Sequence, residues 1–309
     1  MMLANFFGKS KPVNFILIIA LYAIYVILFI NAYSFDHVFS DFWLIELGSF
    51  LVIFAFFFIY NFIVSKNKLT QDNSYAFLFF VMSLGFLPTV ISDFKSIFIN
   101  FVLLLFLRKI YSLRSQKSIF SKLFDSGLWL GVAFVLEPFV LVYGLLIFAA
   151  IFLFLKKSIR VIIIPFLGFG VPMFLYFTYC FYTNQMLLFN KLFDFSISYD
   201  FRSYQTVFYQ VTFGLFGIFV LLSVFVRSST IFSVNDRFKR SWILVIFHLF
   251  LAIVFVGILK TRNGAELIAV SFPASIIIAN WVQSIEKKGV IDILILFFLG
   301  ISFGIHFIA

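Results

Sequence analysis

The sequence predicts an all-α fold: a polytopic transmembrane helical bundle of about 11 membrane helices, forming a single integral membrane domain over residues 1–309. Hydrophobic residues make up 63% of the chain and charged residues only 12%, which leaves too few polar side chains to cover a water-soluble domain. The mean hydropathy of +1.13 supports the same conclusion. The apolar residues form long runs, without the ten-residue alternation of a membrane barrel. Because backbone polar groups must be satisfied within lipid, we expect each run to be a helix.

The first apolar run, 13–32, follows Lys9 and Lys11 and has no small-residue cleavage site after it, so we expect a retained membrane helix rather than a removed signal. In chain order, the other candidate helices are 44–64, 75–91, 97–112, 126–136, 139–155, 159–182, 207–226, 242–259, 267–283 and 290–308. The hydrophilic segment 185–206 mixes aromatic and charged residues. It is either an interfacial helix or an ordinary loop packed on the helices.

One stretch, Ser126 to Leu155, is too short for two full spans. It has basic residues on both sides, Lys122 before it and Lys156 with Lys157 after it, so the chain must cross an even number of times. Two complete spans need about 20 residues each. We therefore expect a hairpin of short helices that turns at Glu137-Pro138. Glu137 would then lie below the headgroups, facing protein or water, or it is a solvated turn residue.

The charges sort along the helices. If the apolar runs cross alternately, 18 of the 23 Lys and Arg residues fall on one face, which the positive-inside rule assigns to the cytoplasm together with the N-terminus. The net charge of +10 therefore indicates orientation, and we expect no nucleic-acid partner. The 52 Phe residues replace Leu in most runs, which is typical of an AT-rich bacterial genome and points to a bacterial inner (cytoplasmic) membrane. The five cations on the external face are Lys95, Lys191, Arg202, Lys260 and Arg262.

The first external loop places two carboxylates and an imidazole directly after the first helix: Asp36, His37 and Asp41. A carboxylate in a partly desolvated position can act as the general base for a hydroxyl nucleophile. The alternative is a solvated loop whose acids cap helices.

A second polar segment on the external face runs from Lys260 through Arg262 to Glu266. Two cations on the face that the charge rule disfavours could hold a lipid phosphate, since Arg offers a forked set of donors and Lys a point charge. The alternative is that both side chains reach the headgroups by ordinary snorkelling.

The order of these parts resembles the GT-C superfamily of membrane glycosyltransferases, which use polyprenyl-phosphate-linked sugars. Three pieces carry the resemblance: the acids Asp36 and Asp41; the glycine-containing run 124–134 leading to Glu137-Pro138; and Arg262 to Glu266 followed by Pro273. The chain also resembles short membrane proteins of Bacteroidota.

The GT-C resemblance implies that Asp36 or Asp41 is a catalytic base or the ligand of a divalent cation, and that Lys260 and Arg262 neutralise the departing lipid phosphate. It implies substrate contacts for His37, Glu137 and Glu266, and a polyprenyl-phosphate lipid or lipid-linked sugar as partner. The alternative function is a non-enzymatic scaffold or accessory subunit of a cell-envelope complex, with an envelope protein as partner. A transporter is disfavoured because charged residues are scarce at mid-membrane depth.

Overall fold

The protein is an all-α, multi-pass membrane protein. The computed structural model describes residues 2–32, 42–156, 158–231 and 236–304, and these contain helices without strands. The helices are α1 Leu3–Phe7, α2 Pro12–Ala32, α3 Phe42–Lys66, α4 Tyr75–Gly85, α5 Thr89–Ser92, α6 Phe94–Ser112, α7 Ile119–Leu136, α8 Gly144–Phe154, α9 Ile159–Tyr182, α10 Met186–Lys191, α11 Val207–Ile231, α12 Asp236–Ile258, α13 Ile268–Val282 and α14 Lys288–Gly304. Short 3₁₀ helices cover Leu113–Ser115, Pro138–Tyr143, Arg202–Tyr204 and Ala265–Leu267.

Eight stretches in the described part of the chain are long and apolar enough to cross a membrane. Each of the eleven predicted runs corresponds to a helix or a pair of helices. The run predicted at 159–182 matches α9, whereas the run predicted at 75–91 is divided between α4 and α5. The division falls at Pro88, which cannot supply the N–H that a continuous helix needs.

The predicted hairpin turns where we expected, but its first arm is longer than predicted. Helix α7 begins at Ile119 and is a full candidate span, whereas only the second arm, Pro138–Phe154, is short. The helix continues through charged residues because they find partners at its start. Lys122 Nζ donates to Ser112 O at 2.7 Å, and Asp125 accepts from Lys109 at 2.6 Å.

The described chain divides into two compact units, each built from separate segments. Unit 1 comprises 1–97, 200–235 and 262–309, and unit 2 comprises 98–199 and 236–261. We predicted one membrane domain over residues 1–309. Whether the two units form that single domain stays a prediction.

Unit 1 is organised around α13, which is almost entirely buried and packs against α4 and α11. Tyr60 of α3 joins this centre, because its hydroxyl donates to Ala76 O at 3.0 Å and lies 2.7 Å from Ser275 Oγ. At the C-terminal end of α13, Asn280 Nδ2 donates to Leu69 O at 2.9 Å. Asn73 Nδ2 donates to Gln283 Oε1 at 2.8 Å at the same end. Hydrogen bonds therefore hold the loop between α3 and α4 at one end of α13.

Unit 2 is organised around the close pairing of α7 with α9. An added Cβ at Gly127 would overlap the carbonyl oxygen of Pro165, and one at Gly131 would lie 2.8 Å from Phe169 O. From the opposite side, a Cβ at Gly168 would overlap the carbonyl of Phe124. Small residues spaced by four let membrane helices approach closely, so these glycines are explained by packing.

A buried polar pair lies elsewhere in unit 2. The hydroxyl of Tyr111 and Nδ1 of His248 are 2.9 Å apart, joining α6 to α12. Buried polar side chains of this kind connect membrane helices. His248 therefore has a structural partner within the protein.

Candidate functional site

The predicted site residues fall into three groups. Asp36, His37 and Asp41 lie outside the described residues, and their roles stay predictions. Glu137 and Lys260 belong to unit 2, whereas Arg262 and Glu266 belong to unit 1, because the boundary falls between Thr261 and Arg262. The two cations are therefore described separately, each with its own unit.

The turn 262–267 leads into α13 and has a conformation that requires glycine. Gly264 has a φ of +99°, a region that side-chain-bearing residues rarely adopt. A Cβ at this position would also overlap the hydroxyl of Tyr209 and lie 2.6 Å from its Cζ. Ala265 N donates to Asn263 Oδ1 at 3.0 Å, which tightens the turn before the 3₁₀ helix Ala265–Leu267. The Asn263-Gly264 pair therefore forms a turn, as Asn-Gly pairs commonly do.

Glu266 closes this turn from inside. The residue is only 4% exposed, and its carboxylate accepts from Gly264 N at 3.1 Å and from Asn263 N at 3.3 Å. Tyr204 donates its hydroxyl to the same carboxylate. Burial, followed by the charge of Glu266, raises the pKa of the Tyr204 hydroxyl, so the tyrosine remains a donor throughout the neutral range. The described contacts of Glu266 are all with its own unit, and its predicted contact with substrate stays a prediction.

Asp93 fastens the turn to the start of α6. Its Oδ1 accepts from Ser96 N and its Oδ2 from Ser96 Oγ, both at 2.9 Å, as an N-cap does. Asn263 Nδ2 donates to Asp93 Oδ2 at 2.5 Å. Tyr209 of α11 donates to Asn263 O at 3.0 Å. The turn is therefore held from two further elements of unit 1.

Arg262 is held over an aromatic ring. The residue is 8% exposed, and its guanidinium carbon lies 4.2 Å from the ring centroid of Phe201. One guanidinium nitrogen donates to Asp200 O at 2.7 Å, and the backbone carbonyl of Arg262 accepts from Ser203 Oγ at 2.8 Å. A cation over an aromatic face gains electrostatic stabilisation and a fixed orientation. The segment 200–204 thus positions this guanidinium.

Lys260, in unit 2, forms an ion pair with Asp194. The Nζ–Oδ2 distance is 2.7 Å, and both side chains are substantially exposed. The hydrogen bond from Lys260 is the main reason that the pKa of the Asp194 carboxyl lies below its ordinary value. A phosphate bound by Lys260 would have to compete with this carboxylate.

Glu137, also in unit 2, ends α7. Its backbone is extended, with φ −151° and ψ 105°, and its N–H donates to Ala133 O at 2.9 Å. Pro138 begins the following 3₁₀ helix, so the chain changes direction here. The side chain is partly exposed. The two interpretations that the sequence allowed for Glu137, a carboxylate that faces protein or water within the membrane and a solvated turn residue, both stay predictions.

The described side chains do not assemble a metal centre. Within the described ranges, no three His, Cys, Asp or Glu residues come together as possible ligands. The role of metal ligand that the resemblance implies for Asp36 or Asp41 falls outside these ranges and stays a prediction.

Sequence reasoning found Arg262 and Glu266 but missed the residues that support them. Asp93, Tyr204 and Tyr209 were not among the predicted site residues. Their partners are 170, 62 and 54 positions away in the chain, so no local pattern reveals these pairs. Asp93 alone carried a signal, since an Asp directly before an apolar run of helical periodicity is a common N-cap.

The fold and the turn 262–267 together define the class of protein. It is a multi-pass all-α membrane protein with a preformed polar turn before a buried helix, α13. No protein-family model, curated protein or solved structure matches the chain.

Proposed function

We propose that the protein is a GT-C-like membrane glycosyltransferase that uses a polyprenyl-phosphate-linked sugar on the face that the charge pattern assigns to the exterior, the periplasmic face. The observation that carries the proposal is the position of Arg262, at the start of a preformed turn and held over Phe201. An oriented guanidinium in the turn before a buried helix suits recognition of a phosphate at a membrane surface. The external acids Asp36 and Asp41 supply the second chemical group that transfer needs.

The reaction that these groups serve is a displacement at the anomeric carbon. The hydroxyl oxygen of the acceptor forms a bond to that carbon, and the bond from the carbon to the phosphate oxygen breaks. The electron pair leaves with the lipid phosphate, and the acceptor proton passes to Asp36 or Asp41 as general base. Arg262 stabilises the negative charge that grows on the leaving phosphate. The resemblance assigns a positive charge to Lys260 as well, and its ammonium group would first have to leave Asp194.

A transfer and binding assay tests the proposal. The purified full chain is incubated with polyprenyl-phosphate-linked sugars, and binding of polyprenyl phosphate is measured in parallel. We expect Arg262→Ala to lower transfer by about 10²-fold or more, the loss that follows removal of a donor to developing charge. Asp36→Asn or Asp41→Asn should abolish transfer while leaving lipid-phosphate binding intact.

The matched control is Arg202→Ala. This variant removes the same charge from an exposed side chain of the neighbouring segment, and it should retain both activities. Unchanged transfer in the Arg262, Asp36 and Asp41 variants would remove the roles assigned to them. Failure of the wild-type protein to bind polyprenyl phosphate would overturn the function itself.

A second candidate function is that of an accessory subunit of a cell-envelope complex. The observation in its favour is that charged groups of the predicted site already have partners within the protein: Lys260 pairs with Asp194, and Glu266 accepts from its own turn. Such satisfied groups suit a structural role. Affinity purification from native membranes decides between the two, because a stoichiometric protein partner together with no lipid-phosphate binding would establish the accessory role.

A further inference from the structure

A groove opens in unit 1 where the start of α2, the end of α3 and the start of α4 meet. Its volume is about 380 Å³, within the range of small-molecule sites. The groove lies near the N-terminus of α4, whereas the turn 262–267 lies at the start of α13, beside Asp93 and Tyr209. It is thus separate from the candidate site and independent of the proposed glycosyl transfer.

One half of the groove is aromatic. Phe15 is stacked on Phe77, with ring centroids 5.0 Å apart, and Phe58 lies against Phe15 at 4.9 Å. Phe58 is 50% exposed, and the neighbouring Ile16 is 65% exposed. Ile16 and Phe58 lie on α2 and α3, which are long and apolar enough to cross a membrane, so this half suits contact with acyl chains.

The other half is polar and carries a positive charge. It is lined by Ser10, Lys11, Asn61 and Ser74, and no carboxylate is among the lining residues. Ser74 Oγ lies 3.2 Å from Asn14 Nδ2, an amide nitrogen that cannot accept a hydrogen bond. The hydroxyl hydrogen of Ser74 can therefore donate to a ligand. The ammonium, amide and hydroxyl groups together form a donor set for an anion.

The chain segment that carries Lys11 is fixed in place. Asn14 is fully buried, and its amide nitrogen donates to Phe6 O at 3.0 Å and to Lys9 O at 2.8 Å. Tyr75 donates to Ala4 O at 2.7 Å, and Ala4 N donates to Asp292 at 2.7 Å. The groove is therefore preorganised, because the residues before α2 cannot swing away without breaking these bonds.

We propose that this groove binds one anionic phospholipid. The lipid would come from the membrane leaflet on the face to which the charge pattern assigns most Lys and Arg residues. Lys11, Asn61 and Ser74 hold the headgroup phosphate, and the first methylene groups of an acyl chain lie on Phe15 and Phe58. The aromatic half favours a lipid over a free phosphate. Among the described lining residues, Lys11 is the one charged side chain, so the groove favours an anionic headgroup over a zwitterionic one, whose positive group Lys11 would repel.

Native mass spectrometry of the full chain, released from micelles with phosphatidylglycerol or phosphatidylcholine, tests this site. The wild-type protein should retain one phosphatidylglycerol, saturably and in preference to phosphatidylcholine. Lys11→Gln should weaken retention about fivefold, the change that one lysine makes at an anionic surface. Phe58→Ala should weaken it as well. Lys66→Gln, the matched control, removes an exposed lysine that does not line the groove and should change nothing.

Four outcomes would overturn the proposal. Equal retention of the two lipids excludes an anionic site, and retention that rises without saturation indicates annular lipid only. Displacement by inorganic phosphate, with no effect of Phe58→Ala, indicates a free-phosphate site. An equal loss in Lys66→Gln and Lys11→Gln indicates diffuse surface charge. The unfolding midpoints of all variants, measured in the same detergent, show whether a variant has failed to fold. If Lys11→Gln or Phe58→Ala fails to fold, Asn61→Leu is tested in its place.

Discussion

The sharpest test of the fold compares two glycines that lie two positions apart on α9. Gly168 is buried against α7, and a Cβ there would overlap the carbonyl oxygen of Phe124 and lie 3.0 Å from Leu128 N. Gly170 is exposed, with no atom within 4 Å of an added Cβ. Replacing each in turn by alanine therefore adds the same methyl group to the same helix, once into the α7 contact and once away from it.

The opposing effects have known sizes. Alanine is favoured over glycine inside a helix by about 1 kcal/mol, so Gly170→Ala should be neutral or stabilising by up to that amount. At Gly168 the same gain is opposed by overpacking, which costs about 1–3 kcal/mol or more when backbone atoms must move. The obstructing atoms are main-chain atoms of α7, which cannot rotate away as a side chain can. The helices must separate and lose dispersion contacts along their length. Because both variants gain the same helix preference, they should differ by the overpacking cost alone, about 1–3 kcal/mol or more.

Thermal unfolding in a single detergent, followed by helical circular dichroism, measures this difference. At about 2 °C per kcal/mol for a chain of this length, the unfolding midpoint of Gly168→Ala should lie about 2–6 °C below that of Gly170→Ala. Gly127→Ala, which meets Pro165 O from the opposite side, should resemble Gly168→Ala. Equal midpoints for the Gly168 and Gly170 variants would refute the close α7–α9 contact.

Three further predictions concern the turn and the ion pair. Gly264→Ala should lower the free energy of unfolding by about 2 kcal/mol or more, because a φ of +99° is strained for alanine. Thermal melts measure this loss. The control is Gly257→Ala, since an added Cβ at Gly257 meets open space. Tyr204→Phe should cost about 1–3 kcal/mol. Since folding raises the pKa of Tyr204, its contribution is complete below about pH 10 and is lost above that, so melts at increasing pH should fall more steeply for wild type than for the variant. Asp194→Asn should free Lys260 and raise affinity for polyprenyl phosphate in a titration; lower or unchanged affinity would exclude Lys260 from phosphate binding. The pKa of Asp194 is lowered, so its pair is complete above the ordinary Asp pKa and is lost as the pH falls below it.

Helices could be predicted from the sequence wherever composition alone determines them. The run 159–182 is continuously apolar and follows a basic cluster, and α9 has these limits. The start of α7 could not be found in this way. Lys122 and Asp125 look like loop residues until Ser112 and Lys109 are known to lie beside them. Whether a charged residue can lie within a helix at a membrane surface depends on tertiary partners, which hydropathy does not record.

The candidate site shows the same division. Lys260 and Arg262 stood out because their charge opposed the general pattern, and Glu266 because of the family resemblance, but what each contacts could not be predicted. The substrate contact predicted for Glu266 stays a prediction, and the sequence did not indicate that its carboxylate accepts bonds from Gly264 N and Asn263 N within the turn. The reason is local geometry: a 3₁₀ turn directs successive N–H groups toward one point, where a carboxylate satisfies them.

The architecture of the turn makes Arg262→Ala a clean test of function. The path of the turn is set by the φ of Gly264, the bonds to Glu266 and the bond from Asn263 to Asp93, none of which uses the guanidinium. The Arg262 side chain instead contacts Phe201 and the Asp200 carbonyl. Its removal should loosen that segment while the entry to α13 keeps its shape. A variant that unfolds like wild type but no longer binds lipid phosphate would therefore locate the loss in the guanidinium. Glu266→Gln should instead destabilise the turn itself. The buried amide oxygen would still accept hydrogen bonds, but the amide also brings N–H groups that have no acceptor in the turn.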